Sequence, residues 1–226
     1  LRKAIAKKIQ TQNNLKVEFE NVMVTNGAKQ AIYNLFQVLL NDDEEVIIPA
    51  PYWLSYPQMV RLAGGKPVFL NSSAEDGFKI NIQDLKAKVT SKTKFIIINS
   101  PNNPTGRVMP KEELLQIAEL VRENKNINIL SDEIYELILK KEFKHFSLSS
   151  LATDLKERIF IINGFAKGWA MTGWRVGYLV GQKDVIKASS ALQSQSTSNV
   201  CSFVQRGALE ALKININLKP NEVEEN

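Results

Sequence analysis

The chain has 226 residues, of which 44% are hydrophobic and 23% are charged, and these proportions are those of a globular protein with a sizeable core. The net charge of +5 comes from scattered lysines, which we expect on solvated helix faces. No basic block is interleaved with aromatic residues, so no nucleic-acid partner is expected. No apolar run approaches the length of a membrane span and no signal-peptide pattern opens the chain, so no membrane partner is expected either.

Cysteine and histidine each occur once. The single cysteine, Cys201, excludes an internal disulfide framework and favours a reducing, cytoplasmic setting. With His145 as the only histidine, neither a histidine-rich metal site nor a Ser-His-Asp triad is expected, and no metal is predicted. Because His145 lies between Lys144 and Phe146, we expect it in a surface loop.

In chain order, the first pattern is an amphipathic helix over residues 1–9, in a chain that does not open with Met. Seven apolar runs rich in β-branched residues then predict strands. Four of these runs are near-continuously apolar in their centres, as strands buried on both faces of a parallel sheet are. The predicted strands are Val22–Thr25, Glu45–Pro49, Lys66–Leu70, Phe95–Asn99, Ile127–Ser131, Ile159–Asn163 and Gly177–Val180.

Helical patterns fall between most of these strands. The clearest one starts at Pro110, places Glu112 and Glu113 in its first turn and continues with apolar residues at helical spacing. This alternation predicts one three-layer α/β/α domain around a mostly parallel seven-stranded sheet. The predicted helices are Ala28–Leu40, Pro110–Arg122, Val185–Leu192 and Phe203–Leu212.

Ligands of open α/β sheets bind beyond the carboxyl ends of the strands, so the residues after each strand are the site candidates. After the first strand, Gly27 opens a helix whose N-terminal N–H groups suit a phosphate, although glycine before a helix is common. The segment is not a Walker A loop, and no GxGxxG follows a strand, which disfavours a dinucleotide site. After the second strand, Trp53 fits either core packing or stacking on a planar ring.

Three further strand ends carry polar side chains. Asn102 and Asn103 lie between two prolines, in a rigid loop whose amides suit a ligand oxygen. Asp132 follows a buried strand, where it fits either a helix N-cap or a partner for a protonated ring nitrogen. Lys167 and Arg175 fit a Schiff-base lysine with a two-pronged anion binder, or a solvated loop lysine with a surface arginine. Five such strand ends together favour a ligand site.

Five motifs in combination carry a family resemblance. In their order and spacing they resemble the class I aminotransferases of the pyridoxal-phosphate fold type I superfamily, specifically the bacterial-type aspartate aminotransferase branch. The resemblance extends over nearly the whole chain, to about residue 212. The motifs are Thr25–Gln30, Pro51–Pro57, Ser100–Gly106, Ser131–Tyr135 and Asn163–Arg175.

The resemblance implies pyridoxal 5′-phosphate as the cofactor. Lys167 would hold it as a Schiff base and move the proton between the substrate Cα and the cofactor's C4′. Asp132 would pair with the protonated ring nitrogen. Tyr135 and Asn103 would hydrogen-bond the ring's phenolic oxygen, and Asn103 would also border the substrate. Because a Schiff-base lysine must lose its proton to attack, we expect Lys167 in a desolvated site near the positive charge of Arg175.

The resemblance also implies a stacking residue and a phosphate site. Trp53 would stack on the cofactor ring and border the substrate. Arg175 would bind the phosphate, together with the backbone N–H groups of Gly27, Ala28 and Lys29.

By the same resemblance, residues 1–226 are expected to be the cofactor-binding large domain of a longer, homodimeric enzyme. The family's N-terminal arm, a tyrosine that reaches the partner's phosphate and the small domain with the arginine for the substrate α-carboxylate have no counterpart in this sequence. The tail Asn217–Asn226 is polar and has no structural stop. Gly164 and Ala166 stand where many relatives carry serine, so two hydroxyl contacts to the phosphate are not expected. The segment Gln193–Asn199 is expected near the subunit interface or as a polar helix start.

The leading functional hypothesis is transamination between aspartate or glutamate and a 2-oxo acid such as 2-oxoglutarate. A close variant, aspartate or glutamate–prephenate aminotransferase, also accepts prephenate. Two alternatives use the same fold: a β-C–S lyase, and the aminotransferase-like sensor domain of a transcription regulator, which a helix-turn-helix module upstream would indicate. The match of Met171–Arg175 to the enzymes argues against the sensor.

Overall fold

A computed structural model describes residues 1–214, and the polar tail Asn217–Asn226 lies outside the described residues. Seven strands form one sheet in the order β1-β7-β6-β5-β4-β2-β3. All run parallel except β7, which is antiparallel to both β6 and β1. The strands are β1 (Val22–Thr25), β2 (Glu45–Pro49), β3 (Lys66–Leu70), β4 (Thr93–Asn99), β5 (Asn128–Asp132), β6 (Ile159–Gly164) and β7 (Gly177–Val180).

This sheet confirms the predicted fold class, and every predicted strand is present. Strand β5 ends one residue later than predicted, so Asp132 belongs to the strand. Its partner in the neighbouring strand is Asn99, the last residue of β4. The parallel register therefore brings two polar strand ends side by side.

Among the described residues, eight α-helices accompany the sheet. The helix predicted over residues 1–9 is confirmed and extends to Gln12, and the other four predicted helices are confirmed within about two residues at each end. None of the helices in residues 1–214 combines the length and the apolar character needed to cross a bilayer. The helices are α1 (Arg2–Gln12), α2 (Ala28–Leu39), α3 (Ser55–Leu62), α4 (Ile82–Lys88), α5 (Lys111–Glu123), α6 (Leu148–Leu151), α7 (Lys183–Ser194) and α8 (Ser202–Ala211).

The two faces of the sheet pack against different helices, because successive side chains of a strand point to opposite faces. Ile129 of β5 belongs to the core that includes α1, α4, α5, α6 and α8. The next residue, Leu130, belongs to the core that includes α2, α3 and α7. This double burial explains why the central strands are continuously apolar.

Two expectations from the sequence are wrong. Lys8 does not lie on a solvated helix face, because it follows Ile5 by three residues on the buried side of α1. Of the two alternatives for Gln193–Asn199, the polar helix start is wrong, since α7 continues to Ser194 and α8 begins only at Ser202, and a place near a subunit interface stays a prediction. Gln193 is buried and donates a hydrogen bond to the backbone carbonyl of Val24 at 3.1 Å.

Candidate active site

A cavity of about 220 Å³ lies at the carboxyl ends of the central strands. Its lining residues come from segments that follow β1, β2, β4, β5 and β6, so only the folded sheet brings them together. Eight of the nine site candidates from the sequence line the cavity: Ala28, Lys29, Trp53, Asn103, Asp132, Tyr135, Lys167 and Arg175. The ninth candidate, Gly27, lies against the guanidinium of Arg175.

Asp132 is buried in the cavity wall. Its Oδ2 accepts a hydrogen bond from the Tyr56 hydroxyl at 2.6 Å, and its Oδ1 accepts one from the backbone N–H of Ile134 at 3.3 Å. Burial raises the pKa of Asp132 to about 6, although these two donors oppose the shift. The helix N-cap alternative is wrong, because a turn and not a helix follows. A buried carboxylate with so few donors suits a cationic N–H partner.

Two asparagines connect Asp132 to Tyr135. The Asn99 side chain donates to the backbone carbonyl of Asp132 at 3.0 Å and accepts from the backbone N–H of Asn103 at 2.8 Å. The Asn103 amide nitrogen in turn lies 3.5 Å from the Tyr135 hydroxyl. Burial, and secondly the charge of Asp132, raise the pKa of Tyr135, which keeps its hydroxyl protonated at neutral pH. An amide and a hydroxyl therefore stand together as possible donors to an anionic oxygen.

Lys167 lies in the loop after β6, with its Nζ 5.7 Å from the centre of the Tyr135 ring. Backbone hydrogen bonds from Met171 and Ala170 to the carbonyls of Phe165 and Lys167 close this loop. The expected desolvation of Lys167 is not found within residues 1–214, where the side chain is exposed. The reason is that the loop forms the rim of the cavity and not its floor.

Arg175 and the start of α2 form a compact anion site. Arg175 has a left-handed backbone, with φ at 54°, and its Nη1 donates to the carbonyl of Thr172 at 3.0 Å. Its guanidinium lies over Gly27, where a Cβ would stand 2.5 Å from Nη2. A Cβ at Gly177 would stand 2.3 Å from the backbone nitrogen of Ala28. Only glycines allow this approach of a guanidinium and a helix N-terminus, and together they suit a phosphate group.

Trp53 forms another wall of the cavity. Its ring stands at 90° to the Tyr56 ring, with 5.4 Å between the ring centres, and the Nζ of Lys29 lies 4.9 Å from its centre. The ring also packs against the core beneath α2 and α3. The core-packing alternative for Trp53 therefore holds in part, and stacking on a planar ring stays a prediction for a residue that lines the cavity.

The sequence did not identify Tyr56, Asn99 and Thr172, which also line the cavity. Tyr56 was within the Pro51–Pro57 motif, three residues after Trp53, but nothing in that motif names Asp132 as its partner. The sequence predicts Asn99 only as the end of a strand, because its bridging role depends on the register with β5. Thr172 donates its hydroxyl to the backbone carbonyl of Ala166 at 2.8 Å, which shapes the loop after β6.

The expectation that His145 lies in an exposed loop is wrong. Its side chain is only 12% exposed, and its Nε2 lies 3.4 Å from Oε2 of Glu133. Burial alone would lower the pKa of His145, but the Glu133 carboxylate raises it above its ordinary value. This contact lies on the opposite side of the β5 end from Asp132, so it is not part of the cavity wall.

Comparison with known proteins gives the family. The family model described as "Aminotransferase class I and II" matches residues 1–226. The chain is 50% identical over 212 residues to a probable aspartate/prephenate aminotransferase of Rickettsia typhi, and the matched region is 94% of this chain and 53% of that protein. It is 48% identical over 211 residues to an aspartate aminotransferase of Bacillus subtilis, which covers 93% of this chain and 53% of that protein.

Solved structures share the fold. The aspartate aminotransferase from Thermus thermophilus with maleate gives a TM-score of 0.89 at 46% identity, over 93% of this chain and 54% of that one. The aspartate aminotransferase from Rhizobium meliloti gives a TM-score of 0.95 at 35% identity, over 99% of this chain and 56% of that one. The chain spans about half the length of the curated relatives it matches. By its sequence match and its fold, the chain belongs to the class I and II aminotransferases.

Proposed function

We propose that the protein carrying this chain is a pyridoxal 5′-phosphate-dependent aminotransferase that acts on aspartate or glutamate and a 2-oxo acid such as 2-oxoglutarate. One observation carries the proposal: Lys167, the buried carboxylate of Asp132 and the Arg175 anion site converge on one cavity. The names of the Bacillus and Thermus relatives support aspartate as a substrate.

The cavity fits this cofactor at three points. The Asp132 carboxylate, which has few donors, suits a protonated ring nitrogen. The amide of Asn103 and the hydroxyl of Tyr135 suit the ring's phenolic oxygen. Arg175 with the start of α2 suits the phosphate. When bound, pyridoxal phosphate supplies a ring that accepts electrons and stabilises negative charge at the substrate Cα.

The chain's own residues would divide the work as follows. Lys167 would hold the cofactor through its ε-amino group and, once the substrate's amino group has displaced it, would carry the proton between the substrate Cα and the cofactor's C4′. Asp132 would keep the ring nitrogen protonated, and that cation would in turn favour the ionised form of Asp132. Trp53 would restrain the ring by stacking and, with Asn103, would border the substrate.

We also propose that residues 1–226 form the cofactor-binding large domain of a homodimer in which the second subunit completes the site. The matched relatives are about twice as long as this chain, which supports a domain assignment. Lys167 and Arg175 are exposed at the cavity rim, so there is room for further protein to enclose them. The single cysteine, Cys201, supports a reducing, cytoplasmic location.

The decisive experiment is the visible absorbance of the purified full-length protein with pyridoxal phosphate. We expect an absorbance band from the lysine-bound cofactor that Lys167→Ala abolishes. The matched control is Lys183→Ala, which removes a lysine paired with Glu18 on the surface, 2.6 Å away, and is expected to keep the band. A wild-type protein without the band would refute the proposal.

Prephenate is a second candidate substrate because the Rickettsia relative is named an aspartate/prephenate aminotransferase. Turnover with aspartate and either 2-oxoglutarate or prephenate would compare the two acceptors directly. A lyase would instead release ammonia and pyruvate from a suitable amino acid without any oxo-acid acceptor.

A further inference from the structure

Behind the cavity, on the opposite side of the β5 end, lies a group of buried polar side chains that the proposed transamination does not use. We call this group the rear cluster. It combines ionisable side chains with neutral hydrogen-bond donors. Its members are Lys8, Asn13, Ser131, Glu133, Glu136, His145 and Ser147.

Glu133 is the centre of the rear cluster. Its Oε1 accepts hydrogen bonds from Ser131 at 2.9 Å and Ser147 at 2.7 Å. Its Oε2 accepts one from the amide of Asn13 at 3.4 Å and lies 3.4 Å from the Nε2 of His145. Burial alone would raise the pKa of Glu133, but His145 and the serines together lower it. The carboxylate is therefore held ionised inside the protein.

Glu136 forms the second charged contact of the rear cluster. Its carboxylate lies 2.5 Å from the Nζ of Lys8, and both side chains are at most 8% exposed. This pair ties the turn after β5 to α1. Glu133, Glu136 and His145 place ligand atoms within 4.8 Å of one another, and each carboxylate also has a nitrogen partner, His145 for Glu133 and Lys8 for Glu136.

The two acidic residues alternate with the two cofactor-site residues along one turn. Asp132 and Tyr135 face the cavity, whereas Glu133 and Glu136 face the rear cluster. The backbone N–H of Glu136 donates to the carbonyl of Glu133 at 2.9 Å and closes the turn. The rear-facing and the cavity-facing side chains therefore share one short, hydrogen-bonded stretch of backbone.

The same turn supports the loop that carries Lys167. A Cβ at Gly164 would stand 3.2 Å from Cδ1 of Ile134, and a Cβ at Gly168 would stand 2.7 Å from Cδ1 of Leu137. The turn thus packs on both sides of Lys167, against the end of β6 and the residue next to the lysine. Residues 132–137 therefore carry Asp132 and Tyr135 and also pack against the loop that carries Lys167.

Buried ion pairs are a poor means of stabilising a fold, because well-packed apolar side chains of similar volume do so as well or better. The contacts of Glu133 and Glu136 instead lie directly behind the turn that carries Asp132 and Tyr135. We infer that Glu133, held by His145 and the neutral donors of the rear cluster, is a positioning residue that fixes the turn 132–137 for cofactor binding. The inference rests on the proposed function, since it concerns the same cavity.

The test compares Glu133→Gln and His145→Gln with Asp154→Asn in the full-length protein. Asp154 is an exposed partner of Arg122 at 2.8 Å, so its variant removes a paired carboxylate far from the turn. Two quantities are measured: hydrogen exchange of the peptide covering 132–137 without cofactor, and the Kd for pyridoxal phosphate. We expect Glu133→Gln to speed exchange in this peptide and to raise the Kd about tenfold, and His145→Gln to act in the same direction. Asp154→Asn is expected to change neither.

A folded Glu133→Gln protein with wild-type exchange at 132–137 and wild-type Kd would overturn the inference. So would a lower overall stability with an unchanged Kd, because that result indicates a purely structural role. If Glu133→Gln does not fold, His145→Gln decides by the same two measurements. Failure of the proposed function is distinguishable, because it would appear as a wild-type protein without Lys167-dependent absorbance, whereas exchange is measured without cofactor.

Discussion

Asp132 and Glu133 are consecutive buried carboxylates, yet their pKa values shift in opposite directions. Burial raises the pKa of Asp132 to about 6, because one hydroxyl and one backbone N–H only partly replace its hydration. The pKa of Glu133 is lowered despite equal burial, because His145 and two serines donate to it. The hydrogen-bond donors around a buried carboxyl group therefore decide whether its pKa rises or falls. Within residues 1–214, the donors to Asp132 are a hydroxyl and a backbone N–H, so a cationic ligand group would complete them, whereas Glu133 already has His145 as a partner.

The largest expected effect is on activity, and the loss should be larger for Asp132, which lines the cavity, than for Glu133, which lies behind it. Asp132→Asn cannot keep the cofactor's ring nitrogen protonated, so we expect kcat for transamination to fall about 10²–10³-fold, the range found when one transition-state-stabilising group is removed. Glu133→Gln acts only through position and should lower kcat less. Steady-state kinetics at saturating cofactor measure both. Equal losses in the two variants would break the distinction between the two sides of the turn.

Stability without cofactor should show opposite signs at pH 7.5. Asp132→Asn removes a buried charge whose pKa is about 6 in the fold against 3.8 for an ordinary aspartate, so the free energy of unfolding should rise, by at most on the order of 3 kcal/mol. Glu133→Gln leaves His145 without its carboxylate partner and should lower the free energy of unfolding by about 3 kcal/mol. Chemical unfolding at equal protein concentration measures both variants. A loss of stability in both variants would contradict the prediction that burial destabilises the Asp132 carboxylate but not the Glu133 carboxylate.

The pH dependence sharpens the same contrast. Asp132 has a raised pKa, so the folded state holds a proton that the unfolded state has lost, and stability falls as pH rises through about 6. His145 also has a raised pKa, so its contribution is fully present below about pH 6.5 and is lost as pH rises through the folded pKa. His145→Gln should remove only the part of the fall above about pH 6.5. Unfolding midpoints between about pH 5 and 9 test this, and an unchanged profile would contradict it.

The smallest predicted effect comes from one hydroxyl. Tyr56→Phe removes the 2.6 Å hydrogen bond to Asp132, so we expect the pKa of Asp132 to rise further and cofactor affinity to fall severalfold, equivalent to about 1 kcal/mol. Tyr52→Phe is the control, since the Tyr52 ring stacks on Phe69 at 5.1 Å outside the cavity lining. Infrared titration of the carboxyl groups and cofactor titration measure the two quantities. Equal effects of the two variants would show that the Tyr56 hydroxyl does not influence the pKa of Asp132.

Local sequence signals were sufficient where a single segment determines the structure. The apolar runs of β4, β5 and β6 are strands because both faces are buried, and Pro110 marks the start of α5 because its missing N–H has no cost there. The same signals failed for His145 and Lys8. Their residue types and neighbours predict solvent exposure, but Lys8 is buried and the His145 side chain is only 12% exposed, each beside an acidic residue more than ten positions away. No local pattern encodes such a partner.

By itself, the sequence determined the strand-helix alternation, the fold class and the strand ends that carry Trp53, Asn103, Asp132 and Lys167. These features follow from local periodicity and from motifs within short segments. Only the tertiary structure decided which side of the β5 end each acidic residue faces, that Tyr56 donates to Asp132, and that a rear cluster lies behind the turn. The physical reason is that sheet register and helix packing set these distances between segments far apart in the chain.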